Sequence, residues 1–283
     1  MGDFRIIADS SCELPAEYMD DGRFTLVPFN LEVGGVDICD DDTLDVYDLI
    51  NRIASSPTCP KSACPSPETF VEKIKESDAK NIYIITISSQ LSGCYNSAVL
   101  AKSLYEEEHD DKNICVIDSR SASCGESLIA LKVYDFEAQD LPFEEIEASL
   151  NQFRDDMNTY VVLDNLETLR KNGRLSKIGA IAATTLHIKP LLMAVMGEIV
   201  AVEKAIGLKK AWVAMAKRIA REASSLSPEH CKRMVITHCN NLAGAEKVRD
   251  MIAATTQFKD FIIMQTKGLS TLYANDGGII ISY

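Results

Sequence analysis

The most constraining feature of this chain is a strand that runs directly into a serine-rich loop and then into a helix, over residues 81–105. The apolar run from Ile82 to Ile87 is typical of a strand buried on both faces. Small polar residues follow at Ser88, Ser89, Ser92 and Gly93. Hydroxyls and unpaired backbone N–H groups meet where such a helix begins, which favours an anion site. A capped helix after a core strand is the alternative interpretation.

Two further predicted strands end in similar loops. The strand from Phe4 to Ala8 runs into Asp9-Ser10-Ser11, and the strand from Asn113 to Ile117 runs into Asp118-Ser119. The alternation of strands with helices predicts a doubly wound parallel sheet. Because the carboxyl ends of parallel strands share one edge, we expect the three loops to converge there.

The second half has a different pattern. After an amphipathic helix from Phe143 to Met157, strands and helices alternate less regularly, and a small-residue helix is predicted over 176–186. We therefore predict an α/β domain over residues 1–156 and an α+β domain over residues 157–283.

Two loop segments of the first half have ambiguous roles. Residues 55–67 contain four prolines, which keep the segment extended, and it either lies over a site or only connects two helices. Ser66 and Pro67 predict the start of the next helix. The acidic run Asp40 to Asp42 lacks a calcium-loop pattern, so a solvated turn before the following helix is the favoured interpretation.

Composition excludes several classes of function. The net charge of −13 argues against nucleic acid as a partner, since phosphate neutralisation needs a basic face. Nine cysteines without a CxxC pair, together with an N-terminus unlike a signal peptide, predict reduced thiols in the cytoplasm. Four histidines without metal-ligand spacing predict no metal, and no apolar run has the length of a membrane span.

Segments along the whole chain resemble the bacterial DegV family. In the first half these are IIADSSCELP, PSPETF, ISSQLSGCYNSA and IDSRSASCGES. In the second half they are LDNLETLRKNGRLSKIGA, HIKPLL, MGEIVAVEKAIGLKKA and ITHCNN. The resemblance implies a two-domain protein that holds a long-chain fatty acid between its domains, with the tail in an apolar tunnel. It also implies a non-catalytic subunit that presents the carboxylate to a separate ATP-dependent fatty acid kinase, with no cofactor of its own.

The resemblance also implies which residues hold the carboxylate. Hydroxyls at the positions of Ser62 and Ser92 bind it in the family, and Ser89, Gly93 and Cys94 belong to the same turn, where Cys94 replaces a threonine. Many relatives have a histidine where this chain has Ala274, and Asn275 is the neighbouring group able to donate instead.

Basic residues cluster near a predicted helix end in the second half, at Arg170, Lys171, Arg174 and Lys177. They are interpreted either as a solvated helix end or as a patch for a kinase partner or a phosphate. Two other functions stay open: a regulatory lipid-binding module without a kinase, and a serine hydrolase using Ser92 or Ser89 with His238. The hydrolase lacks the G-x-S-x-G elbow.

Overall fold

The computed structural model describes residues 3–175, 188–226 and 231–283. In chain order its strands are β1 (Phe4–Asp9), β2 (Phe24–Val27), β3 (Asn30–Val33), β4 (Val36–Cys39), β5 (Lys61–Ala63), β6 (Asn81–Thr86), β7 (Asn113–Asp118), β8 (Thr159–Val162), β9 (Ile188–Val195), β10 (Glu198–Ile206), β11 (Arg233–His238), β12 (Asp260–Gln265) and β13 (Ile279–Ser282). Its helices are α1 (Ala16–Met19), α2 (Val46–Ser55), α3 (Pro67–Glu76), α4 (Cys94–Glu106), α5 (Cys124–Glu137), α6 (Phe143–Asp156), α7 (Glu167–Lys171), α8 (Leu208–Ala223), α9 (Leu242–Ala253) and α10 (Gly268–Ala274).

The first half is built on a four-stranded parallel sheet with the order β2-β1-β6-β7. Alternate residues of the central strand β6 face opposite helical layers. Ile82 and Ile84 pack with α3 and α4, whereas Tyr83 and Ile85 pack with α5. Helices on both faces of a parallel sheet confirm the predicted doubly wound α/β architecture.

The second half is built on a six-stranded mixed sheet with the order β10-β9-β8-β13-β11-β12. Its outer face carries Tyr160 and Ile281, which pack with α8 and α9. Its inner face carries Val161 and Ile280, which share a core with α5. The mixed sheet with helices on its outer face agrees with the predicted α+β character of this half.

Helix α5 lies between the two sheets. Eleven of its fourteen residues are buried, including the charged residues Glu126 and Glu137. A helix that is buried nearly all round has no solvent face, which explains why its sequence shows little amphipathic pattern. The two sheets therefore share one apolar core through α5.

A small antiparallel sheet, with the order β4-β3-β5, covers one end of the first half. Strand β5 forms inside the proline-rich segment, where Ser62 pairs with Leu31 of β3. Beyond it, Ser66 caps α3 by accepting a hydrogen bond from Thr69 N at 3.4 Å, and Pro67 is the first helical residue. The predicted helix start is thus confirmed, and the extended segment is an ordered edge strand.

Helix α10 was not predicted from the sequence. Its first backbone N–H groups donate to two buried carboxyl groups of the first half: Gly268 N and Leu269 N to Asp40 at 2.9 and 2.7 Å, and Lys267 N to Glu13 at 3.0 Å. The expectation of a solvated turn is wrong for Asp40, which is 1% exposed. It fails because Asp40 caps a helix more than two hundred residues away in the chain.

The helix predicted over 176–186 lies outside the described residues. The predicted domain boundary falls in the connection between α6 and β8. Because α5 packs against both sheets, the division into residues 1–156 and 157–283 stays a prediction.

Candidate functional site

A cavity of about 350 Å³ lies between the carboxyl ends of the first sheet and the inner face of the second. This volume is in the usual range for small-molecule pockets. The loops after β1, β6 and β7 all reach it, as expected for convergent loops. Most of its wall is apolar: Phe29, Ile87, Val161, Leu163, Leu269 and Ile280.

We call the partly exposed end of this cavity the mouth. It contains four groups able to donate a hydrogen bond, on Ser62, Ser92, Arg174 and Tyr273. Ser62 Oγ lies 3.0 Å from the Tyr273 hydroxyl, which joins β5 to α10. The structure thus places the two sequence-predicted hydroxyls in the wall of one cavity.

Ser92 lies in the turn before α4. Its Oγ accepts a hydrogen bond from Cys94 N, the first N–H of the helix, at 3.3 Å, although the N-cap residue itself is Gly93. Because the hydroxyl accepts in this bond, its own hydrogen stays available for a ligand. The Ser92 hydroxyl therefore meets the first N–H of the helix and also lies in the cavity wall.

Arg174 was predicted as part of a basic patch, but its side chain lines the cavity. Its Nε donates to Leu91 O at 3.1 Å and its Nη1 donates to Asn172 O at 2.6 Å, which fixes the guanidinium at the mouth. Arg170 points away, pairs with Glu167 at 2.9 Å and is half exposed. Lys177 lies outside the described residues.

The remaining predicted site residues surround the cavity with different roles. Ala274 lines it, whereas Ser89 bonds to Asp118 at 2.5 Å and Cys94 is fully buried. Asn275 ends α10, and its Nδ2 donates to Tyr273 O at 3.2 Å and to Thr168 Oγ1 at 3.4 Å. The sequence analysis did not propose Tyr273 as a site residue, because the helix α10 that carries it into the cavity wall was not predicted.

We call the fully buried polar part of the cavity wall the floor. Its hydroxyl-bearing residues are Ser11, Ser121, Ser123, Thr159 and Ser270. Behind them lie three buried carboxyl groups. Ser11 donates to Asp9 at 2.9 Å and also contacts Glu126, while Ser123 donates to Glu13 at 2.8 Å. The floor therefore backs onto an acidic interior.

Burial raises the pKa values of these three carboxyl groups. It raises the pKa of Asp9, and it raises that of Glu126 well above its ordinary value, with the neighbouring Asp9 charge adding to the effect. Burial also raises the pKa of Glu13 to about 7. A buried carboxyl group holds its proton to a higher pH because the protein interior solvates its charge poorly.

Glu13 should make stability depend on pH. Its pKa of about 7 exceeds the ordinary value of 4.5, so the folded protein binds more protons between these values. Its contribution to the free energy of unfolding therefore falls as the pH rises from about 5 to about 7. We expect Glu13→Gln to flatten this fall, measured by urea denaturation at each pH. The exposed neighbour Glu17→Gln should keep the wild-type slope, and an unchanged slope in Glu13→Gln would contradict the assignment.

The geometry gives no support to hydrolase or metal chemistry within the described residues. His238 is buried, accepts a hydrogen bond from Asn241 N at 3.2 Å and is not part of the cavity wall, unlike Ser92. Burial lowers its pKa. Over the described ranges, no cluster of three or more histidine, cysteine or acidic side chains has the arrangement of a metal site.

The cysteines and the helices bear on the predictions about disulfides and membrane spans. All nine cysteines lie within the described ranges and are free thiols. In the same ranges, none of the helices combines the length and the apolar character that a membrane crossing requires.

The fold and the cavity define an α/β protein with a small-molecule pocket enclosed between two sheets, polar at the mouth and apolar along its walls. A model of the DegV family, described as an uncharacterised protein family, matches residues 3–283. The chain belongs to the DegV family.

Relatives of known structure are similar over the full length. A DegV family protein from Ruminococcus gnavus, refined with vaccenic acid, is 43% identical with a TM-score of 0.94, covering 100% of this chain and 99% of that one. The Streptococcus pneumoniae fatty acid kinase B3 protein, loaded with linoleic acid, is 32% identical with a TM-score of 0.88, covering 100% and 99%. A DegV domain-containing protein of Streptococcus pneumoniae R6 is 33% identical over 284 residues, covering 99% of this chain and 98% of its own.

Proposed function

We propose that this protein binds a long-chain fatty acid, with the carboxylate at the mouth and the tail along the apolar wall of the cavity. The observation that carries the proposal is the polarity of the cavity, in which Ser62, Ser92, Tyr273 and Arg174 gather donors at one end. Relatives solved with vaccenic and linoleic acid share its fold at full length. On this proposal the protein is a lipid carrier rather than an enzyme.

The energetics favour such a ligand. Burying each methylene contributes about 0.8 kcal/mol, so the tail supplies most of the affinity. The carboxylate opposes burial unless donors replace its water, and the mouth provides hydroxyl and guanidinium donors for it. The partly exposed position of the mouth also leaves the head group close to solvent.

We further propose that the bound carboxylate is presented to a separate ATP-dependent kinase subunit, which forms an acyl phosphate. The similarity to the fatty acid kinase B3 protein supports this role. The chain contains no GxxxxGK[ST] phosphate loop, so the nucleotide would come with the partner. We also propose that the protein works in the cytoplasm with its thiols reduced, and that domains over residues 1–156 and 157–283 enclose the ligand between them.

A regulatory lipid-binding module is the second candidate. It is favoured by Ala274, which lines the cavity at the position where the family resemblance implies a histidine, and whose side chain cannot donate a hydrogen bond. The Tyr273 hydroxyl, one residue earlier, provides a donor from the same helix.

The test has two stages. Lipid extraction and native mass spectrometry of the purified protein should reveal bound fatty acid, and the absence of any acyl species together with no binding of added oleate would refute the carrier function. Incubation with a fatty acid kinase subunit, ATP and loaded protein should then yield acyl phosphate. Binding without acyl phosphate formation would select the regulatory module.

Removing one mouth hydroxyl should weaken binding without changing the fold. We expect Tyr273→Phe to reduce fatty acid affinity by about 5- to 150-fold, because it removes one donor, worth about 1–3 kcal/mol, from the bound carboxylate. Fluorescence displacement or calorimetry measures the change. Tyr47→Phe, at a tyrosine that is 59% exposed, is the control and should bind as the wild type does. Equal affinity in both variants would remove Tyr273 from the site.

A further inference from the structure

The loop that carries Ser92, over residues 88–93, is held by carboxyl groups from the two strands beside it. Strand β6 lies between β1 and β7, and these neighbours end at Asp9 and Asp118. Asp118 accepts Ser89 N at 3.1 Å and Ser89 Oγ at 2.5 Å, which fixes the loop itself. Asp9 holds the two residues that flank the loop.

One of these residues is Ile87, which directly follows β6, and the other is Cys94, which begins α4. Asp9 Oδ2 accepts Ile87 N at 2.7 Å, and the Asp9 side chain is hydrogen-bonded to the Cys94 thiol. Asp9 Oδ1 accepts Ser11 N at 3.0 Å. Asp9 and Cys94 are both 0% exposed, so bulk solvent does not compete for these contacts. A single carboxyl group therefore fixes both ends of the loop.

Cys94 connects Asp9 to the Ser92 hydroxyl. Its thiol is bonded to Asp9, while its backbone N–H donates to Ser92 Oγ at 3.3 Å. At the other end of the loop, Ser88 follows Ile87 and its carbonyl oxygen accepts Ser92 N at 3.1 Å. The position of Ser92 thus depends on both residues that Asp9 holds.

The backbone contacts of Asp9 do not depend on its ionisation. Burial raises the pKa of Asp9, and it raises that of the neighbouring Glu126 well above its ordinary value, so either carboxyl group can hold a proton. Backbone N–H groups can only donate. Each oxygen of Asp9 keeps a lone pair for one of them whether or not the carboxyl group is protonated, so the contacts to Ile87 N and Ser11 N persist in both forms.

We infer that Asp9 is a positioning residue, which acts through Ile87 and Cys94 to direct the Ser92 hydroxyl toward the bound carboxylate. Asp9 itself is not part of the cavity wall, whereas Ser92 is. The inference rests on the proposed function, because it gives Ser92 a carboxylate to bind. A purely structural role for Asp9 would instead affect all ligands of the cavity alike.

Asp9→Asn changes the contacts of this side chain while nearly keeping its shape. An amide has one acceptor oxygen and an NH₂ group that only donates. In either orientation it can therefore accept from Ile87 N or from Ser11 N, but not from both. One backbone N–H then faces another donor, and the loop has to shift.

The experiment compares a long-chain fatty acid with the alcohol of the same chain length, by calorimetric titration of the wild type and Asp9→Asn. The two ligands share a tail and differ in the charge of the head group. Hydrogen bonds to a charged group are the stronger ones, so a misplaced Ser92 costs the acid more. We expect the affinity for the acid to fall by about tenfold and that for the alcohol by less than about threefold. A loss for the acid that is no greater than the loss for the alcohol overturns the inference.

A double variant tests whether Asp9 acts through Ser92, and it needs the acid alone. In a Ser92→Ala background no hydroxyl is left to position, so adding Asp9→Asn should change the affinity for the acid by less than about twofold. A second tenfold loss in the double variant would show that Asp9 acts independently of Ser92.

Asp45→Asn is the matched control. Asp45 is exposed at the start of α2 and also accepts two backbone N–H groups, from Tyr47 and Asp48 at 2.8 and 3.1 Å. The variant removes the same type of contact away from the cavity and should bind both ligands as the wild type does. An equal loss for the acid in this variant would assign the effect to general destabilisation and so contradict the role of Asp9.

Cys94 variants keep the inference testable if Asp9→Asn does not fold. Cys94→Ala breaks the side-chain link to Asp9 and should weaken the acid by about fivefold, with less effect on the alcohol. Cys94→Ser restores a donor to Asp9 and should recover the wild-type preference. An unchanged affinity for the acid in Cys94→Ala, or no recovery in Cys94→Ser, counts against positioning through this residue.

The wild type separates this inference from the proposed function. If the wild type binds no fatty acid, the proposed function fails and the role of Asp9 fails with it. If the wild type binds the acid and the variants do not behave as expected, only the role of Asp9 fails.

Discussion

Replacing Ala194 with phenylalanine should abolish most fatty acid binding while leaving the fold intact. Alternation along β9 puts Ala194 on the same face as Leu192, which belongs to the inner core, and Ala194 lines the cavity. A phenyl ring there occupies the space of about four methylenes, which contribute about 0.8 kcal/mol each, so affinity should fall by about 200-fold. Calorimetric titration with a long-chain fatty acid measures the loss.

The next residue offers a matched control. Val195 is 43% exposed on the opposite face of the strand, so Val195→Phe adds the same ring outside the cavity. It should bind the fatty acid as the wild type does. Similar losses in both variants would show that the ring disturbs β9 rather than filling the cavity, and wild-type binding by Ala194→Phe would place the tail elsewhere.

Asp40→Ala should cause a large loss of stability. The carboxylate accepts hydrogen bonds from Ser10 Oγ at 2.7 Å and from Gly268 N and Leu269 N at 2.9 and 2.7 Å. Its removal leaves three buried donors unsatisfied, which should lower the free energy of unfolding by about 4 kcal/mol. Urea denaturation with linear extrapolation measures this difference.

Asp42→Ala is the control for this prediction. Asp42 is 74% exposed and pairs with Lys267 at the surface. Loss of such a pair should change the free energy of unfolding by less than about 1 kcal/mol. The assignment of Asp40 as the cap of α10 is wrong if the two variants lose similar stability.

Fatty acid binding should weaken in Asp40→Ala as well, since α10 carries Tyr273 and Leu269 into the cavity wall.

The elements of this fold that have local signals are predictable from sequence. The buried strand β6, the cap at Ser66 and the long helix α8 are all determined by patterns within a few neighbouring residues. Helix α10 has no such signal. It is seven residues long, begins at Gly268 and receives its caps from Asp40 and Glu13, which are distant in the chain. Gly268 is required because a Cβ there would lie 2.3 Å from Asp40 Oδ1.

The residues of the candidate site also differ in whether local sequence can identify them. Ser62 could be proposed from the resemblance to the DegV family, and Ser92 from that resemblance together with the serine-rich loop in which it lies. Tyr273 could not be proposed, because its approach to Ser62 depends on α10. Arg174 was found as a charge in a basic run, but the direction of its side chain depends on the Leu91 carbonyl of a different loop. Tertiary contacts, rather than local propensity, select which of several polar residues face the cavity.

The burial of α5 between the two sheets limits how an acyl ligand can enter. A hinge motion that swung the sheets apart would expose the face of α5 that packs against the second sheet, together with the inner face of that sheet. Such an opening exposes apolar core and costs free energy in proportion to the area exposed. A local opening avoids this cost, and the segment around β5, the turn before α4 and α10 is the part of the described wall where side chains are only partly covered.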